Sequence, residues 1–282
     1  MSRRAPEHEQ QHALAARFMA LHQQEQPLLL ANAWDPGSAR LLASLGFQAL
    51  ASTSSGHAAT LGRLDYAVSR EEALAHAETL VAATELPVSA DLENGFADEP
   101  ADVAETIRAA REAGLAGCSI EDWSADAGGG LYERALATER IAAAAAAAHS
   151  GSTRLVLTAR AENYLRGNPD LDDTIRRLQA YQQAGADVLY APGLDEPDAL
   201  RELIASVDAP VNVLSRATAP PVPVLSALGV KRISVGGAFA FAALAAVASA
   251  ATELLHEGTY GFCTQAAEGG RLARTAFATE AG

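Results

Sequence analysis

Short apolar runs alternate along this chain with longer stretches in which apolar residues recur every three or four positions. The short runs, residues 28–31, 49–52, 88–91, 118–121, 155–160, 188–190, 211–214 and 232–235, have the length and aliphatic content of buried strands. The longer stretches, residues 38–45, 69–85, 101–113, 138–149, 171–184, 197–206 and 222–228, read as helices. Several stop at a glycine (Gly46, Gly114, Gly185, Gly229), the residue that suits a helix C-cap. Eight strands alternating with helices over about 250 residues predict an α/β fold, a (β/α)8 TIM barrel. A doubly wound sheet is the rival, but no GxGxxG follows the first strand. No Pro- or Ser-rich linker interrupts residues 1–282. The chain reads as a single barrel domain with an N-terminal helical segment (1–26) and a C-terminal helical arm (236–282). Beyond Gly258 the tail is either a frayed end or an arm that packs on a partner subunit.

Composition narrows the functional classes. The 282 residues are 49% hydrophobic and carry a formal net charge of −14, which argues against nucleic acid or an anionic membrane surface as partner. The longest apolar run, 239–251, is mostly alanine and falls short of a membrane span. The first residues have two arginines but no apolar core of the signal-peptide kind. With Cys118 and Cys263 alone, there is no disulfide framework and no CxxC metal pair. A reduced, cytoplasmic enzyme is the expectation.

In barrels of this kind the reactive groups gather where strands end and the following loops begin. Those positions hold Asn32 and Asp35, then Thr53, Ser54, Ser55 and Asp65, then Asp91 and Glu93, Glu121 and Asp122, Arg160 and Glu162, and Asn212. Alternate strand residues face opposite sides. Ser89 and Asp91 therefore share one face, Ser119 and Glu121 another, and Arg160 goes with Val156 and Thr158 into the barrel mouth. Cys118 and Ile120 point to the helices, which makes Cys118 a small buried hydrophobe. Carboxylates clustered in one mouth need a cation between them or a shared proton. An all-oxygen set suits Mg²⁺ or Mn²⁺ rather than zinc. The competing reading has Asp91 and Glu93 capping the next helix, where Asp98 is also available. Of the histidines, His8, His12, His22, His76, His149 and His256 read as solvated surface, and His57 alone stands in a mouth loop. No GxSxG elbow is present. The amides of Ser54 and Ser55 are instead candidates to receive an anion.

The stretches NAWDPGSARLLASLGFQALASTSSG, LGRLD, PVSADLENGF, AGLAGCSIED, LTARAE, AGADVLY and LGVKRISVGG follow one another from about residue 30 to 240. This ordered set resembles the isocitrate lyase / phosphoenolpyruvate mutase superfamily. The resemblance implies a (β/α)8 barrel whose eighth helix is exchanged with a neighbour, in homodimers or homotetramers. It implies Mg²⁺-dependent (or Mn²⁺-dependent) chemistry on small 2-oxo acids, with a C–C or P–C bond broken or made. Position by position, it implies Asp91 as the direct metal ligand, with Asp65, Glu93 and Glu121 holding the metal's waters. It implies Arg160 as the group that binds substrate and stabilises an enolate, and Thr53, Ser54 and Ser55 as the turn around the substrate carboxylate. Asn212 is a further candidate substrate contact, and Asp65 and Glu121 join Arg160 as candidate catalytic groups.

Departures from the family pattern shape the functional expectation. The loop DWSADAGGGLYERA lacks the cysteine, lysine and histidine of the isocitrate and methylisocitrate lyase lid, which disfavours those two activities. Ala51 stands where the phosphonopyruvate enzymes carry an aromatic residue, Pro192 where a histidine or glutamate is common, and Glu93 where an aspartate is usual. The expectation is a Mg²⁺-dependent lyase that cleaves a C–C bond in a small 2-oxo acid or dicarboxylate through an enolate. A decarboxylation fits because it needs no base to start. Residues 128–130 would form a glycine-rich lid. The alternatives are P–C bond chemistry, for which Arg160, Arg63 and Arg134 are the cations within reach, and a 2-oxo acid binding protein without turnover.

Overall fold

A computed structural model describes residues 8–125 and 129–278. Eight parallel strands close into a barrel: β1 (Leu28–Ala33), β2 (Leu50–Ser52), β3 (Val88–Asp91), β4 (Gly117–Glu121), β7 (Val156–Arg160), β8 (Val188–Tyr190), β9 (Val211–Leu214) and β10 (Arg232–Ser234). Their order around the barrel is β1-β10-β9-β8-β7-β4-β3-β2. Between β4 and β7 stands a small antiparallel hairpin, β5 (Trp123–Ser124) with β6 (Gly130–Leu131), which sequence periodicity is too short to register. The lid residues 128–130 straddle its edge, and residue 128 lies outside the described residues.

Helices α2 (Pro36–Ser44), α4 (Arg70–Val81), α5 (Pro100–Glu112), α6 (Arg134–His149), α7 (Leu171–Gln183), α8 (Pro197–Ala205) and α9 (Val222–Leu228) surround the barrel. Their ends are written locally. Asp35 and Ser38 form a capping box on α2, and Ser69 and Glu72 form one on α4. The four glycine stops all sit at positive φ, between 84° and 106°. Strand parity sorts the interior. Leu50, Val88, Ala90, Cys118, Ile120, Leu157 and Ile233 face the helices in one cluster. Leu28, Leu30, Ala51, Val156 and Val188 face inward and meet Ala15, Phe18 and Leu21 of α1 (His8–Leu21). Helix α1 thus plugs the N-terminal end of the barrel. A Cβ at Gly117 would stand 2.9 Å from the Phe18 ring, so that glycine is what lets the plug seat.

Two helices differ from expectation. Helix α3 (Ser54–Thr60), capped by Thr53, occupies what reads in sequence as a loop; small polar residues mask the helix, and its buried positions are Gly56 and Ala58. Helix α10 (Ala238–His256) runs for 19 residues and buries Ala240 alone, leaving Phe241, Leu244, Val247 and Leu255 exposed. The expectation that this run is too short for a membrane span is corrected, because the helix continues past 251 through Leu254 and Leu255. By length and composition it is long and apolar enough to cross one. Helix α11 (Phe262–Phe277) folds back against α2.

Candidate functional site

A cavity of about 240 Å³ opens at the C-terminal ends of the strands. Thr53, Ser54, Ser55, Asp65, Asp91, Arg160 and Asn212 line it. Asp91 stands at its centre. Its Oδ2 accepts from the Ser54 hydroxyl at 3.0 Å and the Ser54 amide at 3.3 Å, and its Oδ1 pairs with Arg160 Nη1 at 2.8 Å. The Ser54 amide therefore turns to Asp91. Ser55 Oγ shares a hydrogen with Thr53 Oγ1 at 3.2 Å. Glu93 lies behind Asp91, buried against a small space shared with Thr53, His57 and His76. Neither Asp91 nor Glu93 caps α5. Glu99 holds that position, and Asp98 accepts from the Tyr132 hydroxyl instead.

Arg160 binds three carboxylates from three nitrogens: Asp91, Glu121 Oε2 at 2.8 Å from Nη2, and Glu162 Oε1 at 2.9 Å from Nε. Burial opposes its charge, but Glu162, Glu121 and Asp91 hold the guanidinium protonated well above its ordinary range. Glu121 sits beneath Arg160 and also accepts from the Tyr66 hydroxyl at 2.7 Å. Asp122 is turned to the helices, where it takes Arg177, the Tyr181 hydroxyl and the Glu162 amide. It positions the loop after β7. Asn32 clamps the amides of Val235 and Gly236, and Asp35 is the cap of α2. Asn212 accepts from Arg232 Nε at 3.0 Å and donates to Ser234.

Five carboxylates (Asp65, Asp91, Glu93, Glu121, Glu162) gather around the guanidiniums of Arg160 and Arg166, and the third arginine of the cavity, Arg232, pairs with none of them. The surplus bears on the carboxylates themselves. Burial, then Asp91 and Asp65, push Glu93 up to about 8 against the pull of Arg160, and burial with Asp91 also raises Asp65. A divalent cation fits that surplus. Among the described residues no three acidic, histidine or cysteine side chains converge for direct ligation. Asp91 would thus hold the cation, with Asp65 and Glu93 reaching it through water, the oxygen-rich and well-hydrated arrangement that Mg²⁺ favours.

Sequence reasoning misses several groups. Tyr66 and Arg166 line the cavity. Arg166 stacks on Trp123 with its Cζ 3.5 Å from the ring centroid, and donates to the Tyr66 hydroxyl. Tyr66 (φ 64°) and Glu93 (φ 50°) both adopt the left-handed region that side chains avoid, and no pattern announces it. The cation count is also corrected. Arg63 pairs with Glu72 on the surface and Arg134 approaches Asp173, while Arg166 and Arg232 join Arg160 at the cavity. The histidine expectation is corrected too. His22 and His76 are buried, and His149 pairs with Asp187 at 2.9 Å. His57 stacks on His76, centroids 3.8 Å apart, and does not line the main cavity. Cys118 is fully buried, which pushes its thiol up to about 12.

Residues 18–255 match the family model described as phosphoenolpyruvate phosphomutase. A crystal structure from Burkholderia cenocepacia named only as a lyase/mutase superposes with a TM-score of 0.92 at 52% identity, covering 96% of this chain and 98% of that one. The 2-methylisocitrate lyase of Halalkalibacterium halodurans is 30% identical over 71% of this chain and 67% of its own. The oxaloacetate decarboxylase of Chromohalobacter salexigens is 30% identical over 84% of this chain and 83% of its own.

Proposed function

Because this chain belongs to the phosphoenolpyruvate phosphomutase family, we propose that it is a Mg²⁺-dependent lyase that breaks a C–C bond in a small 2-oxo acid through an enolate. The observation that carries this reading is Asp91, held between Ser54 and Arg160 at the centre of a cavity with surplus negative charge. When bound at Asp91, the cation supplies Lewis acidity for the 2-oxo oxygen. The chain's own residues do the rest. Arg160 keeps two of its five N–H donors free of carboxylates. It is preorganised by Glu121 and Glu162 to meet charge as it develops on the enolate oxygen. Ser55 and Thr53 offer hydroxyls beside Asp91 for the substrate carboxylate. Tyr66, Trp123 and Arg166 form a wall over the site that limits water. No histidine, cysteine or lysine lines the cavity among the described residues, which suits a decarboxylation, where loss of CO₂ starts without a base. The decarboxylase similarity supports the same choice.

Asp91→Asn is expected to abolish Mg²⁺ binding and 2-oxo acid binding together, read by titration calorimetry on a folded variant. Retention of either sinks the site. A second reading, P–C bond chemistry, gains support from the three arginines at the cavity. ³¹P NMR of phosphonopyruvate with the protein and Mg²⁺ separates the two: a shifted phosphorus resonance as product forms selects this reading over the first.

A further inference from the structure

The cavity continues past the carboxylates into the barrel, where Ala51, Ser89 and Ser119 are too small to fill it, and reaches Arg232 at the start of β10. Arg232 is 3% exposed. Its Nε donates to Asn212 Oδ1 at 3.0 Å, and its Nη1 lies 3.3 Å from His22 Nε2. His22 Nδ1 donates to the Phe18 carbonyl at 2.8 Å, so Nε2 is left as the acceptor and the ring is neutral. Both partners of Arg232 are therefore uncharged. The other buried arginines are satisfied differently. Arg160 and Arg177 meet carboxylates, and Arg140 meets the carbonyls of Asn94, Ala97 and Asp98. Arg232 has no carboxylate in reach among the described residues. Burial lowers it only to about 10, which leaves it charged at neutral pH. Buried cations are paired, yet three of its N–H donors are left over on a side chain that lines the cavity.

We propose that Arg232 binds a second anionic group of the substrate, so that the ligand is a 2-oxo dicarboxylate with its 2-oxo acid end at Asp91 and its far carboxylate on Arg232. This rests on the proposed function for the mouth end. Asn212 positions the guanidinium, and His22 keeps its lower edge occupied without neutralising it.

Binding calorimetry on the full chain with Mg²⁺ tests this with pyruvate, 2-oxovalerate and 2-oxoglutarate. The wild type should bind 2-oxoglutarate at least about tenfold more tightly than 2-oxovalerate, which has the same carbon count without the far carboxylate. In Arg232→Gln the ratio should fall to within about twofold while pyruvate affinity is kept, a separation that a merely structural arginine would not produce. A wild type without the preference, or a preference that survives Arg232→Gln, overturns the proposal. Should that variant fail to fold, Arg232→Lys replaces it. A single ammonium in place of the fork should narrow the ratio at least about threefold, and an unchanged ratio overturns the proposal equally. If the wild type does not bind pyruvate, the reading of the mouth fails by itself. Arg232 is then judged by glutarate against valerate, and equal binding of those two refutes it.

Discussion

Arg160 donates to Asp91, Glu121 and Glu162 from three nitrogens at 2.8–2.9 Å, a geometry that lysine's single ammonium cannot copy. Arg160→Lys should strip Glu121 or Glu162 of its short guanidinium contact, leaving a buried carboxylate with only the longer approach of Arg166 at 3.6–3.7 Å as its ion pair, at a cost of about 3 kcal/mol of stability. It should also lower kcat/KM by about 100-fold or more through lost preorganisation. Urea unfolding and steady-state kinetics on the same preparation check both effects. His22 makes a different kind of statement. Burial, then the nearby Arg232, depress its imidazole to about 3, although the Phe18 carbonyl and Asp187 favour the charged ring. In the unfolded chain the ring takes a proton near pH 6.5, so below that pH the unfolded state binds more protons and stability falls with pH. Other buried groups also titrate in this window, Glu93 in the opposite sense, so the difference between two proteins is the clean readout. His22→Asn retains a donor for Phe18 and cannot be protonated. Between pH 7 and pH 5 the wild type should lose about 2 kcal/mol more than this variant. Equal losses would show that His22 titrates normally.

Elements formed by local periodicity are the ones legible in the sequence. The period of two in a strand is enough to put Asp91, Glu121 and Arg160 inside and Cys118 outside, and the structure keeps that parity on every strand where it was read. Helix stops are legible because glycine at positive φ is a local need. What stays hidden depends on packing between distant segments. Tyr66 and Arg166 come from loops, and their direction is set by Trp123 of the hairpin and by Glu121 across the barrel. His22 has the surroundings of a surface helix in sequence, yet α1 is pressed under the barrel. The plug itself yields a prediction. Phe18 is fully buried against Gly117 and Val156, and Phe18→Ala leaves a void that α1 cannot collapse into without moving its backbone. The expected loss is about 3–4 kcal/mol, seen as a lower urea midpoint with an unchanged slope.

At the scale of the whole molecule, the unmatched feature is α10. Its first turn rests on α3, where Ala240 stands against Gly56, and then the helix leaves the barrel with Phe241, Leu244, Val247 and Leu255 in solvent. Residues 238–252 of the helix carry no charge, and Glu253, its one acidic side chain, is committed to the next turn of chain, accepting from Thr259 Oγ1 at 2.7 Å and the Phe262 amide at 3.2 Å. A soluble monomer rarely leaves so long an apolar surface uncovered. A net charge of −14 keeps whole molecules apart at long range without acting on this uncharged face. Burying it against the same face of a second copy is the arrangement that a twofold contact provides. Light scattering on the 29.2 kDa chain should therefore give a multiple of that mass. Leu244→Glu with Val247→Glu should reduce it to the monomer while far-UV dichroism stays unchanged, since neither side chain supports the barrel. A monomeric wild type, or a double variant that keeps the larger mass, would show that α10 meets something other than its own copy. Requirement for detergent to keep the wild type in solution, relieved by the two glutamates, would identify that something as a lipid surface.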